Sequence, residues 1–76
     1  MEEIRRLYLQ VGEMVIHLRH PEWGTGEVVE EMNSTVPGGM SMVKISFRDG
    51  KRRVFNNNTD SEYCCYYAGV RRHRSM

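Results

Sequence analysis

The chain has 76 residues, of which 39% are hydrophobic and 28% charged. That is room for one small domain, apolar enough to fold, which buries a modest fraction of its surface and needs efficient packing to be stable alone. No apolar run approaches the ~20 residues that span a bilayer. Met1-Glu2-Glu3-Ile4-Arg5-Arg6 also has no long apolar stretch behind it, so neither a membrane helix nor a secretory leader is expected and a cytoplasmic protein is the simplest reading. The net charge is +1, with a pI near 7.8.

In chain order, residues 2–10 place Ile4, Leu7 and Tyr8 at i, i+3 and i+4, one face of a short helical segment that is stable only if docked. Met14 to Leu18 reads as a first strand, with Val15 and His17 on one face and Met14, Ile16 and Leu18 on the other. Both faces carry bulk, so the outer one calls for a cover, either the N-terminal segment or a partner. Arg19 to Gly24 is a loop in which Pro21 stops ladder pairing. Gly24 and Gly26 mark a tight turn, a bulge or a close backbone approach. Thr25 to Met32 is a second strand with Val28 as its inward anchor, and Asn33 to Met40 is turn-forming almost throughout.

Ser41 to Phe47 is the clearest strand, Val43, Ile45 and Phe47 alternating with Met42, Lys44 and Ser46. Asp49-Gly50 is a strong hairpin signal leading into a fourth strand, Lys51 to Phe55. Asn56 to Asp60 is a turn. Glu62 to Val70 is rich in aromatics and reads as a final strand or an extended lid, and Arg71 to Met76 as a basic tail expected to fray. The whole is expected to be an all-β single domain over 1–76: a small barrel of about five antiparallel strands at 11–70, with an N-terminal segment at 1–10 and the tail at 71–76.

The sequence His17-Leu18-Arg19-His20-Pro21-Glu22-Trp23-Gly24-Thr25-Gly26-Glu27-Val28, preceded by Val15 and followed by Ile45, Phe47, Gly50 and Lys51, resembles a short uncharacterised bacterial family with an H-P-x-W-G-x-G-x-V signature. Its outline is similar to the C-terminal Tudor-like domain of UvrD-type repair helicases. It is more distantly similar to polymerase-binding domains of the CarD and transcription-repair coupling type. The resemblance covers about residues 11–55 and implies an SH3-like (Tudor-like) barrel. It also implies a partner in transcription or DNA repair, RNA polymerase being the first candidate. After Phe55 the chain departs from that outline.

Charge is unevenly distributed. Residues 1–31 hold seven acidic and three basic residues, residues 32–76 three acidic and eight basic. Such asymmetry marks a basic face for phosphates or acidic protein surfaces, or else charges that pair across neighbouring strands. Lys44, Arg48, Lys51, Arg52 and Arg53 cluster on two strands joined by one turn, and Arg71, Arg72 and Arg74 form a second group. With Tyr63, Tyr66 and Tyr67 this gives a basic and aromatic pattern that can track single-stranded nucleic acid, although the pI lies below the ~9 of dedicated nucleic-acid binders. Trp23 either caps the barrel or supplies an apolar contact to a partner.

Cys64 and Cys65 are adjacent and cannot cross-link distant parts of the chain, in keeping with a reducing compartment. In strand alternation they point to opposite faces. Together with His17 and His20 they are soft ligands at a spacing that suits no zinc knuckle, so neither metal nor cofactor is expected. A Cys–His nucleophile would need a cleft, an orienting group and an oxyanion site, more than so small a domain builds.

The expectation is therefore a non-catalytic, monomeric protein-interaction module without membrane contact. Its binding residues would be Trp23, Lys44, Arg48, Lys51, Arg52 and Arg53, and strand addition at an open sheet edge is a second mode. The alternative is a nucleic-acid module using the basic hairpin and the tyrosines. A third class is self-association through Met14, Ile16 and Leu18.

Overall fold

In the computed structural model, which describes residues 7–34 and 39–73, the alternating segment Ser41–Phe47 forms a strand with neighbours on both sides. Every second residue from Ser41 to Phe47 is buried. The five strands are β1 (Met14–His17), β2 (Gly26–Asn33), β3 (Ser41–Phe47), β4 (Arg52–Asn56) and β5 (Val70–Arg72). They make one antiparallel sheet in the order β4-β3-β2-β1-β5. The first four form a meander, and β5 returns to pair with β1, His17 facing Val70 and Val15 facing Arg72. The sheet curls into a half-barrel of the all-β, SH3-like kind.

Its concave side holds the core: Leu9, Val15, Val28, Val43, Ile45, Phe47, Cys64, Cys65 and Val70, with Tyr8, Trp23 and Phe55 packed against it. Burial of each larger aliphatic side chain there is worth ~1.5–3 kcal/mol. The register of β2 against β3 shifts between Val28 and Glu30, a bulge that turns half-exposed Val29 out of the core pattern. Gly26 has no room for a side chain: a Cβ there would sit 2.6 Å from Ile45 Cγ2 and 2.9 Å from the Phe47 ring. At the β3–β4 turn, Gly50 takes φ 87°, which the Asp-Gly pair supplies without strain.

Several expectations change. The helical reading of residues 2–10 fails where the chain is described, residues 1–6 lying outside it. Leu7 instead bridges to Asn58, and Leu9 enters the core on an extended backbone. Leu7, Tyr8 and Leu9 fit a two-residue period as well as a helical one, and sheet contacts decide between them. Among the described residues, the N-terminal ones leave Met14 and Leu18 exposed.

Residues 62–70 are neither a long strand nor a lid. A one-turn helix, α1 (Cys65–Ala68), ends at Gly69 with φ 117°, and β5 follows at once. Arg71 and Arg72, expected in a fraying tail, are strand residues; residues 74–76 lie outside the description. The helical turn also explains why Cys64 and Cys65 are both buried rather than facing opposite ways.

No ladder joins β4 to β5. The two ends of the curl approach through a bridge between Asn56 and Cys64. Asn57 latches this seam. It is fully buried, its Oδ1 accepts the Leu9 N–H at 2.8 Å, and its Nδ2 donates to the Leu9 carbonyl at 2.9 Å. Its own backbone N–H donates to the Ser41 carbonyl at 2.7 Å. One side chain therefore satisfies both backbone groups of a buried residue that no ladder reaches.

Candidate functional site

Pro21 opens a 3₁₀ turn (Pro21–Trp23) whose missing N–H costs nothing at that position. The turn ends at Gly24, φ 77°, where a side chain would collide with Arg48 Cβ at 2.9 Å. Trp23 is delivered half-buried to the corner where β1, β2 and the β3–β4 hairpin meet. The His20 ring stacks on it at 4.1 Å with planes 5° apart, while His17 and Phe47 approach edge-on at 4.9 and 5.2 Å. The Arg53 guanidinium carbon lies 3.6 Å from the Trp23 ring centre, a cation–π contact.

Arg53 faces this corner because strand alternation puts it opposite Ile45 on the inward side of β4, with Phe55 two residues on. Asp49 holds it in a two-point fork, Nη2 to Oδ2 at 2.8 Å and Nη1 to Oδ1 at 3.3 Å. Asp49 Oδ1 also accepts the Lys51 N–H at 3.0 Å, and the Asp49 N–H donates to the Trp23 carbonyl at 3.3 Å. The Arg53 fork, then the Lys51 amide, holds the Asp49 carboxyl below its ordinary range. Burial, reinforced by His20 and Arg19, lowers the His17 pKa below its ordinary value. His17 Nδ1 accepts the Arg19 N–H at 3.2 Å. His20 Nδ1 lies 3.1 Å from Glu22 Oε2.

The six sequence-predicted binding residues therefore divide. Trp23 and Arg53 pack on one another and on the core. Lys44 is ion-paired across strands to Glu30 at 3.2 Å. Arg48, Lys51 and Arg52 are exposed and form no ion pair among the described residues. All three lie at the β3–β4 turn, tied to the Trp23 corner by the Arg48 N–H donating to the Thr25 carbonyl at 3.0 Å.

The second basic group is engaged differently. Arg72 pairs with Glu13, donates to the Tyr8 carbonyl and lies over the Tyr8 ring. Arg71 lies 3.9 Å from the Tyr66 ring centre and donates to the Tyr66 and Val70 carbonyls. The Tyr8 hydroxyl donates to the Val70 carbonyl at 3.0 Å. Tyr66 packs edge-on against Tyr8 and Tyr67 at 5.5 and 5.3 Å. Among the described residues Tyr66 and Tyr67 make no ring contact with the hairpin, and Tyr63 is exposed.

The histidines sit at the Trp23 corner and the cysteines in the core beside β5. Burial, then the neighbouring Cys64, pushes the Cys65 thiol up to about 12, the opposite of what a nucleophile needs. Among the described residues no three His, Cys, Asp or Glu side chains gather as a metal site would require. None of the described helices is long and apolar enough to cross a membrane.

Sequence reasoning missed a cleft between the end of β1 and the 3₁₀ turn, lined by Ile16, His17, Leu18, Pro21, Gly24 and Thr25. Its one visible signal was bulk on both faces of β1. Asn57 was also missed, since nothing separates it from its neighbours in an Asn-Asn-Asn run.

No curated protein and no solved structure matches the chain. One family profile does, over residues 9–59, the span from the core residue Leu9 through β4 that stops short of α1 and β5. That match covers more than half of the 76 residues, and the chain belongs to the family described as "Protein of unknown function (DUF3553)".

Proposed function

We propose that this chain is a non-catalytic protein-interaction module that docks an acidic protein surface at the β3–β4 hairpin. The observation that carries the reading is the contrast in charge pairing. Arg48, Lys51 and Arg52 stand exposed without an acidic partner among the described residues, beside a corner made rigid by Trp23, Arg53 and Asp49. Long cations held at the end of a short, stiff hairpin gain Coulomb energy on docking and lose less freedom than cations on a mobile loop. The resemblance to Tudor-like and CarD-type domains makes RNA polymerase, or a repair complex working on transcribed DNA, the first partner to test. In this reading the chain is a rigid docking surface and the chemistry belongs to the partner.

The test is capture from lysate on the immobilised chain, with and without nuclease. Recovery of RNA polymerase subunits that survives nuclease and is lost with Arg52→Glu is the expected result. Loss of all bound material after nuclease would overturn it and leave nucleic acid as the ligand of the hairpin.

A further inference from the structure

We infer that the cleft beside the hairpin is a pocket for one apolar side chain of an acidic segment in the partner protein. The inference rests on the docking reading above and adds what the partner must present. The cleft measures about 260 Å³ and is lined by Ile16, His17, Leu18, Pro21, Gly24 and Thr25. That is below the ~300–1,000 Å³ of small-molecule sites, and its lining is mainly apolar. It therefore suits an anchoring side chain of leucine size. Leu18, more than half exposed, belongs to the outer face of β1, which no described segment covers.

Charge complementarity names the flanks of that segment. Arg48 lays its stem along Gly24, its Cβ, Cγ and Cδ all within 3.4 Å of where a Gly24 side chain would begin. Arg19 follows Leu18 in the chain, is exposed and has no ion pair among the described residues. Glu22 on the same loop, its Oε2 3.1 Å from His20 Nδ1, is the one carboxylate of residues 18–25, against the two arginines. Arg48, packed on the lining residue Gly24, and Arg19, next to the lining residue Leu18 in the chain, are thus two cations without an ion pair among the described residues that adjoin the apolar slot. This selects an apolar residue flanked by Asp or Glu, the anchor supplying affinity and the carboxylates supplying steering and register. A basic or uncharged segment would meet the same slot without that gain.

The test is selection of a displayed random-peptide library on the immobilised full chain, followed by titration of one selected peptide. The expected result is enrichment of sequences with a single Leu, Ile, Met or Phe among acidic residues. Replacing that residue by Ser should weaken binding about tenfold or more. Leu18→Asp should abolish binding and Arg48→Glu should weaken it strongly. Both sites are exposed, and an unchanged thermal midpoint verifies that the variants are folded. Acidic peptides that bind equally with Ser in place of the anchor, or that ignore Leu18→Asp, would overturn the pocket while leaving the hairpin docking reading intact. Enrichment of basic peptides, or of none above a Gly/Ser control, would also overturn it. So would concentration-dependent self-association abolished by Leu18→Asp, which would make the cleft an interface between copies of this chain.

Discussion

The two basic groups of this small sheet are chemically alike and structurally opposite. At one edge Arg71 and Arg72 are engaged within the fold: with Glu13, with the Tyr8 and Tyr66 carbonyls, and over the Tyr8 and Tyr66 rings. They fasten β5 to β1 and to the chain entering β1. At the hairpin the side chains of Arg48, Lys51 and Arg52 form no ion pair among the described residues, while their neighbour Arg53 is committed to Asp49 and Trp23. Clustered positive charge in a sequence is therefore not yet a site. In the proposed reading, the cations available to a partner are those that the fold has not already engaged with a carboxylate, a carbonyl or a ring.

The sharpest way to probe the structural side is through the seam those C-terminal arginines help close. Asn57→Ala leaves the buried Leu9 N–H and carbonyl without partners and should destabilise the chain by ~2–4 kcal/mol in denaturant unfolding. A loss below about 0.5 kcal/mol would show that the seam does not hold the fold. Arg72→Ala removes a partly exposed ion pair and a carbonyl contact, and should cost about 1 kcal/mol, part of which salt screens.

The smallest effect is one of pH. Because the folded pKa of His17 lies below its ordinary value of 6.5, the unfolded chain takes up protons first as pH falls. This contribution is fully present above that value and is lost as pH drops through it. The thermal midpoint should be level above about pH 7 and decline toward pH 5, less steeply in His17→Gln. Asp49 and Glu22, whose pKa values are lowered from 3.8 and 4.5, act only at lower pH.

Much of the meander was legible in the sequence because its signals are local. Val43, Ile45 and Phe47 alternate, Asp49-Gly50 turns the chain, and Val15 and Val28 anchor their strands. The C-terminal closure was not legible, because it is built from long-range polar contacts with no periodicity. Tyr8 reaches Val70, Arg72 reaches Glu13, and Asn57 reaches Leu9. The two cysteines were misjudged for the same reason: one turn of helix replaces strand alternation where no pattern announces it. At the candidate site the basic residues were legible as neighbours in sequence, but their division was hidden. Only the β3–β4 register shows that Arg53 faces inward with Ile45 while Arg52 pairs opposite Ser46.

The most direct test of this division pairs Lys51→Glu with Arg72→Glu, measuring thermal midpoint and capture of nuclease-resistant partner per mole of folded protein. The account predicts a crossed result: Lys51→Glu keeps its stability and loses the partner, and Arg72→Glu loses stability and keeps the partner. Equal loss of partner in both variants at equal folded fraction, or a destabilised Lys51→Glu that still binds, would contradict it.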